Sequence, residues 1–170
     1  MAVRVRTRGG VGKDLVKGAI AGAVATFVMS KVTDFMYEHE DPRARRREDA
    51  VRGGRFADEA AAERAASSVG MHLDRQERRQ YGAAIHWATG IGAGAVYAVL
   101  RRRFHFLGGM GGTAFGTAFW TFLDEGLVPA LGLTPGPNAF PWQAHARGLV
   151  GHVTFGTITD GTLRLLNRVA

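Results

Sequence analysis

Residues 80–100 read QYGAAIHWATGIGAGAVYAVL, a stretch with no Asp, Glu, Lys or Arg. A helix needs about 20 consecutive apolar residues to cross a hydrocarbon core. Working outward, Phe106 to Leu123 is equally free of those four residue types. Two further apolar stretches flank these, the earlier carrying Lys31 and Asp34 and the later His152 and Asp160. The expectation is four helical spans, at about 15–37, 80–100, 104–128 and 144–166.

A water-soluble helical bundle would place a polar residue every three to four positions along each helix. These stretches carry glycine, alanine and threonine there instead. The 24 glycines are about twice ordinary usage, and many recur at four-residue spacing. Gly18 and Gly22 form one line, Gly82, His86, Gly90 and Gly94 a second, Gly108, Gly112 and Gly116 a third, and Gly148, His152, Gly156 and Asp160 a fourth. Small residues so spaced let helix backbones approach closely in lipid, where burial from water no longer drives association. The expected packing residues are Gly18, Gly22, Gly90, Gly94, Gly108, Gly112, Gly116, Gly148 and Gly156.

The same lines expose an internal repeat. Gly22 precedes Asp34 by the interval that separates Gly112 from Asp124, and His86 stands four before Gly90 as His152 does before Gly156. Span one thus resembles span three, and two resembles four. Two hairpins entering from the same side imply a pseudo-two-fold axis along the membrane normal. The expected fold class is all-α, an integral membrane four-helix bundle of two repeated hairpins forming a single membrane domain over 1–170.

The connections fit that reading. Arg101, Arg102, Arg103, Phe104 and His105 predict a tight basic turn. Residues 129–142 hold four of the five prolines, with Gly132 and Gly136, and predict a rigid loop. The polar loop 38–79 holds ten acids and ten arginines. Within it Ala57 to Val69 should be helical, Gly70 should stop that helix, and Asp74 should cap the helix leading into the second span. Its balanced charges predict a solvated face.

The net charge of +7 is compatible with nucleic acid, but the basic runs flank apolar segments or alternate with acids. Membrane flanks are therefore expected and nucleic acid is not. Cysteine is absent, which removes disulfides, thiolate metal sites and cysteine nucleophiles. No phosphate-binding glycine loop or Ser/His/Asp arrangement stands out, and no enzyme is expected. Arg4, Arg6, Arg8, Lys13, Lys17, the 101–103 arginines, Arg164 and Arg168 share one side, which would place both termini in the cytoplasm. Lys17 and Lys31 make the first stretch too polar for a cleaved signal peptide, so an uncleaved span is expected.

His86-Trp87-Ala88-Thr89-Gly90 with Tyr97, then Gly116, Trp120, Asp124-Glu125, Pro129-Ala130-Leu131-Gly132-Leu133, and His145 and His152 together resemble the YagU-like family of bacterial inner-membrane proteins of unknown function. The resemblance spans roughly 14–166 and is densest in Trp-x-x-x-Asp-Glu-x-x-x-Pro-x-x-Gly-Leu. It implies a multi-pass inner-membrane protein without an assigned activity. The arginine-rich 43–79 segment departs from that family's pattern.

In such a bundle Asp34, Asp124 and Glu125 fall near the outer ends of spans one and three, at the depth of His86 and His152. Ionisable groups in a membrane are costly and mark a candidate site. Two imidazoles and carboxylates suit a divalent metal, or a proton relay. The competing expectation is structural, with each Asp–His pair bonding two helices. Arg147 is expected to neutralise Asp124 or Glu125, Asp160 to pair with Arg164, and Lys31 to snorkel. No organic cofactor is expected. The expected partners are the lipid bilayer and, where a glycine stripe is left uncovered, a second copy or another membrane protein.

Overall fold

The computed structural model describes residues 10–169, all helices and turns with no strand among them. Arg4, Arg6 and Arg8 lie outside the described residues. The first helix, α1, runs Val11–Glu38, and α4, Arg75–Arg103, is of similar length; both are long and apolar enough to cross a membrane. Between them lie α2, Pro42–Arg52, and α3, Ala57–Ser68.

Local chemistry sets these boundaries. Asp41 accepts from the backbone N–H of Arg43 and Ala44 at 2.7 and 3.2 Å, Pro42 opens α2, and Gly53 closes it in the left-handed region at φ 60°. Gly70 ends α3 at φ 75° as expected. Asp74 caps α4 by accepting from Glu77 N–H at 2.8 Å, while the Glu77 carboxylate accepts from Asp74 N–H at 2.9 Å.

The third apolar stretch departs from expectation. A continuous helix over 104–128 is replaced by a short α5, His105–Gly109, a turn, and α6, Thr113–Phe122. Gly111 and Gly112 cause the break, with φ of 59° and 85°, a conformation strained for any other residue. From Leu123 to Leu127 the chain widens into a π-helical turn, then closes as α7, Val128–Ala130. The proline-rich loop follows, with a 3-10 turn at Pro137–Ala139, before α8, Trp142–Val169. Arg101, Arg102 and Arg103 belong to the last turn of α4, so the basic turn is a helix end.

α1 packs against α4 and α8, α6 packs against α8, and α3 lies across α4. The directions alternate. Lys17 near the start of α1 donates to the Leu166 carbonyl near the end of α8 at 3.1 Å, and Asp14 pairs with Arg102 at the end of α4. Glycine sets the closest approaches. A Cβ on Gly22 would stand 2.5 Å from the Gly90 carbonyl oxygen, and one on Gly18 2.6 Å from that of Gly94. On the other side of the molecule Gly112 lies against Gly156, and Gly116 against the His152 carbonyl. Gly108 and Gly148 instead meet side chains, those of Arg101 and Trp120.

Burial on α1 runs opposite to that of a soluble helix. Its buried residues are Gly18, Ala21, Gly22, Ala25 and Thr26, while Leu15, Val16, Ile20, Val24 and Phe27 are exposed. In α4, Trp87, Ile91 and Val96 also face outward. Along α1 large apolar side chains face outward and small ones fill the contacts, while the large buried apolar side chains among the described residues are Tyr97, Phe155 and Leu163.

Candidate functional site

A cleft of about 310 Å³ opens between α4 and α6. α1 supplies Thr26 and Met29, α4 supplies Ile85, His86 and Thr89, and α6 with its π turn supplies Phe119, Leu123 and Asp124. His152 and Phe155 of α8 form the back, and Arg52, Phe56 and Asp58 the roof. A second cleft, about 160 Å³, shares Asp124 and Arg52 and adds Glu125 and His145.

Three of the five sequence-expected site residues, His86, Asp124 and His152, thus line one cleft. His86 Nε2 lies 3.3 Å from the Ser30 hydroxyl. His152, only 4% exposed, donates from Nδ1 to the Gly148 carbonyl at 3.0 Å, with Asp124 3.6 Å away. That donation leaves Nε2 as the acceptor in the neutral ring. Glu125 turns the other way and bonds His145 Nδ1 at 2.6 Å, while His145 Nε2 meets the Pro137 carbonyl at 3.1 Å. Asp124 lines both clefts and Glu125 only the second; both residues sit in the π turn, a feature that recurs at functional sites.

Asp34 is exposed and lines neither cleft. Among the described residues no three His, Asp or Glu side chains converge on one point where a metal could sit. The five residues therefore do not form a single ligand set.

The strongest charge cluster escaped the sequence reading. Arg147, 8% exposed in its side chain, donates to Glu48 Oε2 at 2.6 Å and also bonds Glu40, correcting the expectation that it would neutralise Asp124 or Glu125. The face of Tyr37 lies 5.0 Å from the same guanidinium. Glu48 is fully buried and also accepts from Arg52 Nε at 2.9 Å. One part of 38–79 is therefore not a solvated face: α2 is clamped to α8 by buried charge. The missed signal was Glu48 and Arg52 at helical spacing beside Ala44, which gives α2 one compact face. Asp160, also buried, accepts from Tyr97 at 2.8 Å and from Arg164, as expected, at 2.6 Å; Arg101 adds a third contact at 3.1 Å. Lys31 is exposed and lies over the Phe27 ring.

Chemically, the cleft offers an apolar hollow with a carboxylate and two imidazoles at one end. No curated protein and no solved structure matches the chain. Residues 39–160 match the family described as a protein of unknown function, DUF1440. Because that match takes in α2 to α7 and the clefted half of α8, well over half of the chain, the protein belongs to the DUF1440 family.

Proposed function

We propose that the protein is a YagU-like, multi-pass protein of the bacterial inner membrane, a four-helix bundle of two related hairpins that acts by packing and binding and not by catalysis. The observation that carries this is the inverted burial of α1, shared by α4 apart from Tyr97. A soluble bundle would bury Leu15, Ile20 and Phe27 and expose the small residues, whereas here lipid supplies what water could not. The repeat is supported by equivalent contacts: Gly22 lies against Gly90, and Gly112 against Gly156.

The absence of cysteine makes the test clean. The chain should resist carbonate extraction from membranes. With both termini inside, Ser67→Cys should react with an impermeant maleimide in spheroplasts, and Asn167→Cys only after lysis. Release by carbonate would overturn the membrane reading, and equal labelling of both positions would overturn the topology.

A second reading is favoured by the shared cleft of His86, Asp124 and His152, which suits proton or ion handling. Metal content and pH-dependent flux of the reconstituted protein, compared with His86→Ala plus His152→Ala, decide it. Flux or stoichiometric metal lost in the double variant supports the second reading; neither, with only a lower melting temperature, leaves the histidines structural.

A further inference from the structure

We infer that the cleft between α4 and α6 holds a lipid whose head carries a primary ammonium group, with the head at Asp124 and an acyl chain along the apolar walls. The inference rests on the membrane reading above and adds the ligand class.

Shape comes first. α4 meets α6 where the Tyr97 and Phe115 rings lie 4.6 Å apart, but the two helices do not pack along their length, and the cleft occupies the gap nearer the roof. In a bilayer that gap faces sideways, toward acyl chains. Met29, Ile85, Phe119, Leu123 and Phe155 make its walls apolar, and its volume reaches the range of small-molecule sites.

Charge then selects the head. Arg52 also reaches the cleft, but Glu48 already binds it, and Arg52 with Arg147 is balanced by Glu48 with Glu40. Asp124 has no such partner: among the described residues no arginine or lysine bonds it, and its side chain is 38% exposed. Its neighbour His152, whose Nδ1 lies 3.6 Å away, has committed that nitrogen to the Gly148 carbonyl. Asp58 adds another carboxylate at the roof. The two carboxylates, Asp124 and Asp58, thus give the cleft net negative charge beside the His86 and His152 rings and Thr89. A primary ammonium offers a positive charge and three N–H donors. A quaternary ammonium offers the charge alone, and a glycerol head only hydroxyl donors.

The test uses the full chain purified in detergent and titrated, under native mass spectrometry, with phosphatidylethanolamine, phosphatidylcholine and phosphatidylglycerol of identical acyl chains. The ethanolamine lipid should bind about tenfold more tightly than either of the others, the effect of one charge-assisted hydrogen bond. Asp124→Asn should remove that preference, and Phe122→Leu, on the outward face of α6, should retain it. Thr89→Trp, which fills the cleft from α4, should weaken all three lipids. An experiment on the unaltered chain guards against a variant that fails to fold: hexadecylamine should displace the ethanolamine lipid, and hexadecyltrimethylammonium should not. Equal binding of the three lipids, preference for phosphatidylglycerol, or equal displacement by both amines would overturn the inference. A chain that resists carbonate extraction yet shows no preference sinks this inference alone, whereas release by carbonate sinks the membrane reading beneath it.

Discussion

The α1–α4 pair and the α6–α8 pair use glycine alike and polar residues differently. In the first pair Gly22 meets Gly90, the helices are unbroken, and the carboxylate near the end of α1, Asp34, is exposed. In the second Gly112 meets Gly156, the partner helix is broken at Gly111 and Gly112, and a π turn carries Asp124 into the cleft. Five residues before His152 stands buried Arg147; five before His86 stands exposed Tyr81. Close packing needs only small residues, so one pair supplies a plain scaffold. Irregular backbone and buried charge are concentrated in the other, which faces His86 of the first pair across the cleft.

The largest expected effect tests that asymmetry directly. Arg147→Met leaves Glu48 and Glu40 buried without their cation, which should cost about 3–5 kcal/mol. Tyr81→Ala, at the matching place in α4, should cost under about 0.5 kcal/mol. Thermal unfolding of both variants in detergent, followed by circular dichroism, compares them. Similar losses would mean that buried charge does not distinguish the pairs.

Glycine substitution separates packing from backbone strain. Gly22→Ala brings a Cβ against the Gly90 carbonyl, a backbone group that cannot swing aside, at a cost of about 1–3 kcal/mol. Gly112→Ala meets Gly156 and must also hold φ near 85°, adding about 1–2 kcal/mol. If the two variants melt together, the break in the third stretch relaxes and the pairs are more alike than their backbones suggest.

These contrasts also show what the sequence could carry. The polar helix Ala57–Ser68, its stop at Gly70 and the Asp74 cap were all legible, because propensity and capping are local. The glycine contacts were legible because helical spacing puts Gly18, Gly22, Gly90 and Gly94 on single faces. A span continuous over 104–128 was the wrong reading because glycine permits both helix and left-handed turn, and tertiary contact decides between them. The π turn has no compositional mark, so the different partners of Asp124 and Glu125 could not be foreseen. Arg147 was assigned to the wrong carboxylates because its real partners, Glu40 and Glu48, lie about a hundred residues earlier, in a segment whose balanced charge looked wholly solvent-facing.

The histidines give a smaller and sharper comparison. His152 is buried, bonded to Gly148 and packed edge-on against Phe119 at 5.2 Å, whereas His86 is less buried and has one 3.3 Å contact with Ser30. His86→Ala should cost about 0.6 kcal/mol, the average for an interhelical hydrogen bond in membranes, and His152→Ala about 2 kcal/mol, because truncating a buried ring packed on Phe119 leaves a cavity. Chemical denaturation midpoints of the two single variants measure the ratio; equal values would mean that burial does not separate the two histidines of the cleft.

The smallest effect contrasts how α2 and α3 are attached. α2 is held by buried charge, but the charged contacts of α3 lie on the surface. There Glu63 binds Arg55 at 2.6 Å and Arg78 of α4 at 3.4 Å, beside the packing of buried Ala62 and the close approach of Gly82 to Glu59. The hydrogen bond from Arg55 leads the effects holding the Glu63 carboxyl below its ordinary range. A lowered folded-state value means that this contribution is fully present above the unfolded value, about 4.3 for glutamate, and is lost as pH falls through the folded value. Glu63→Gln should therefore lower the melting temperature by about 1 °C at pH 7 and low salt. The difference should vanish at pH 3 and shrink in 1 M salt, where screening acts within about 3 Å. The Arg147→Met loss should survive the same salt because its partners are buried. A Glu63 effect that persisted through high salt would place α3 among the buried attachments and dissolve the contrast with α2.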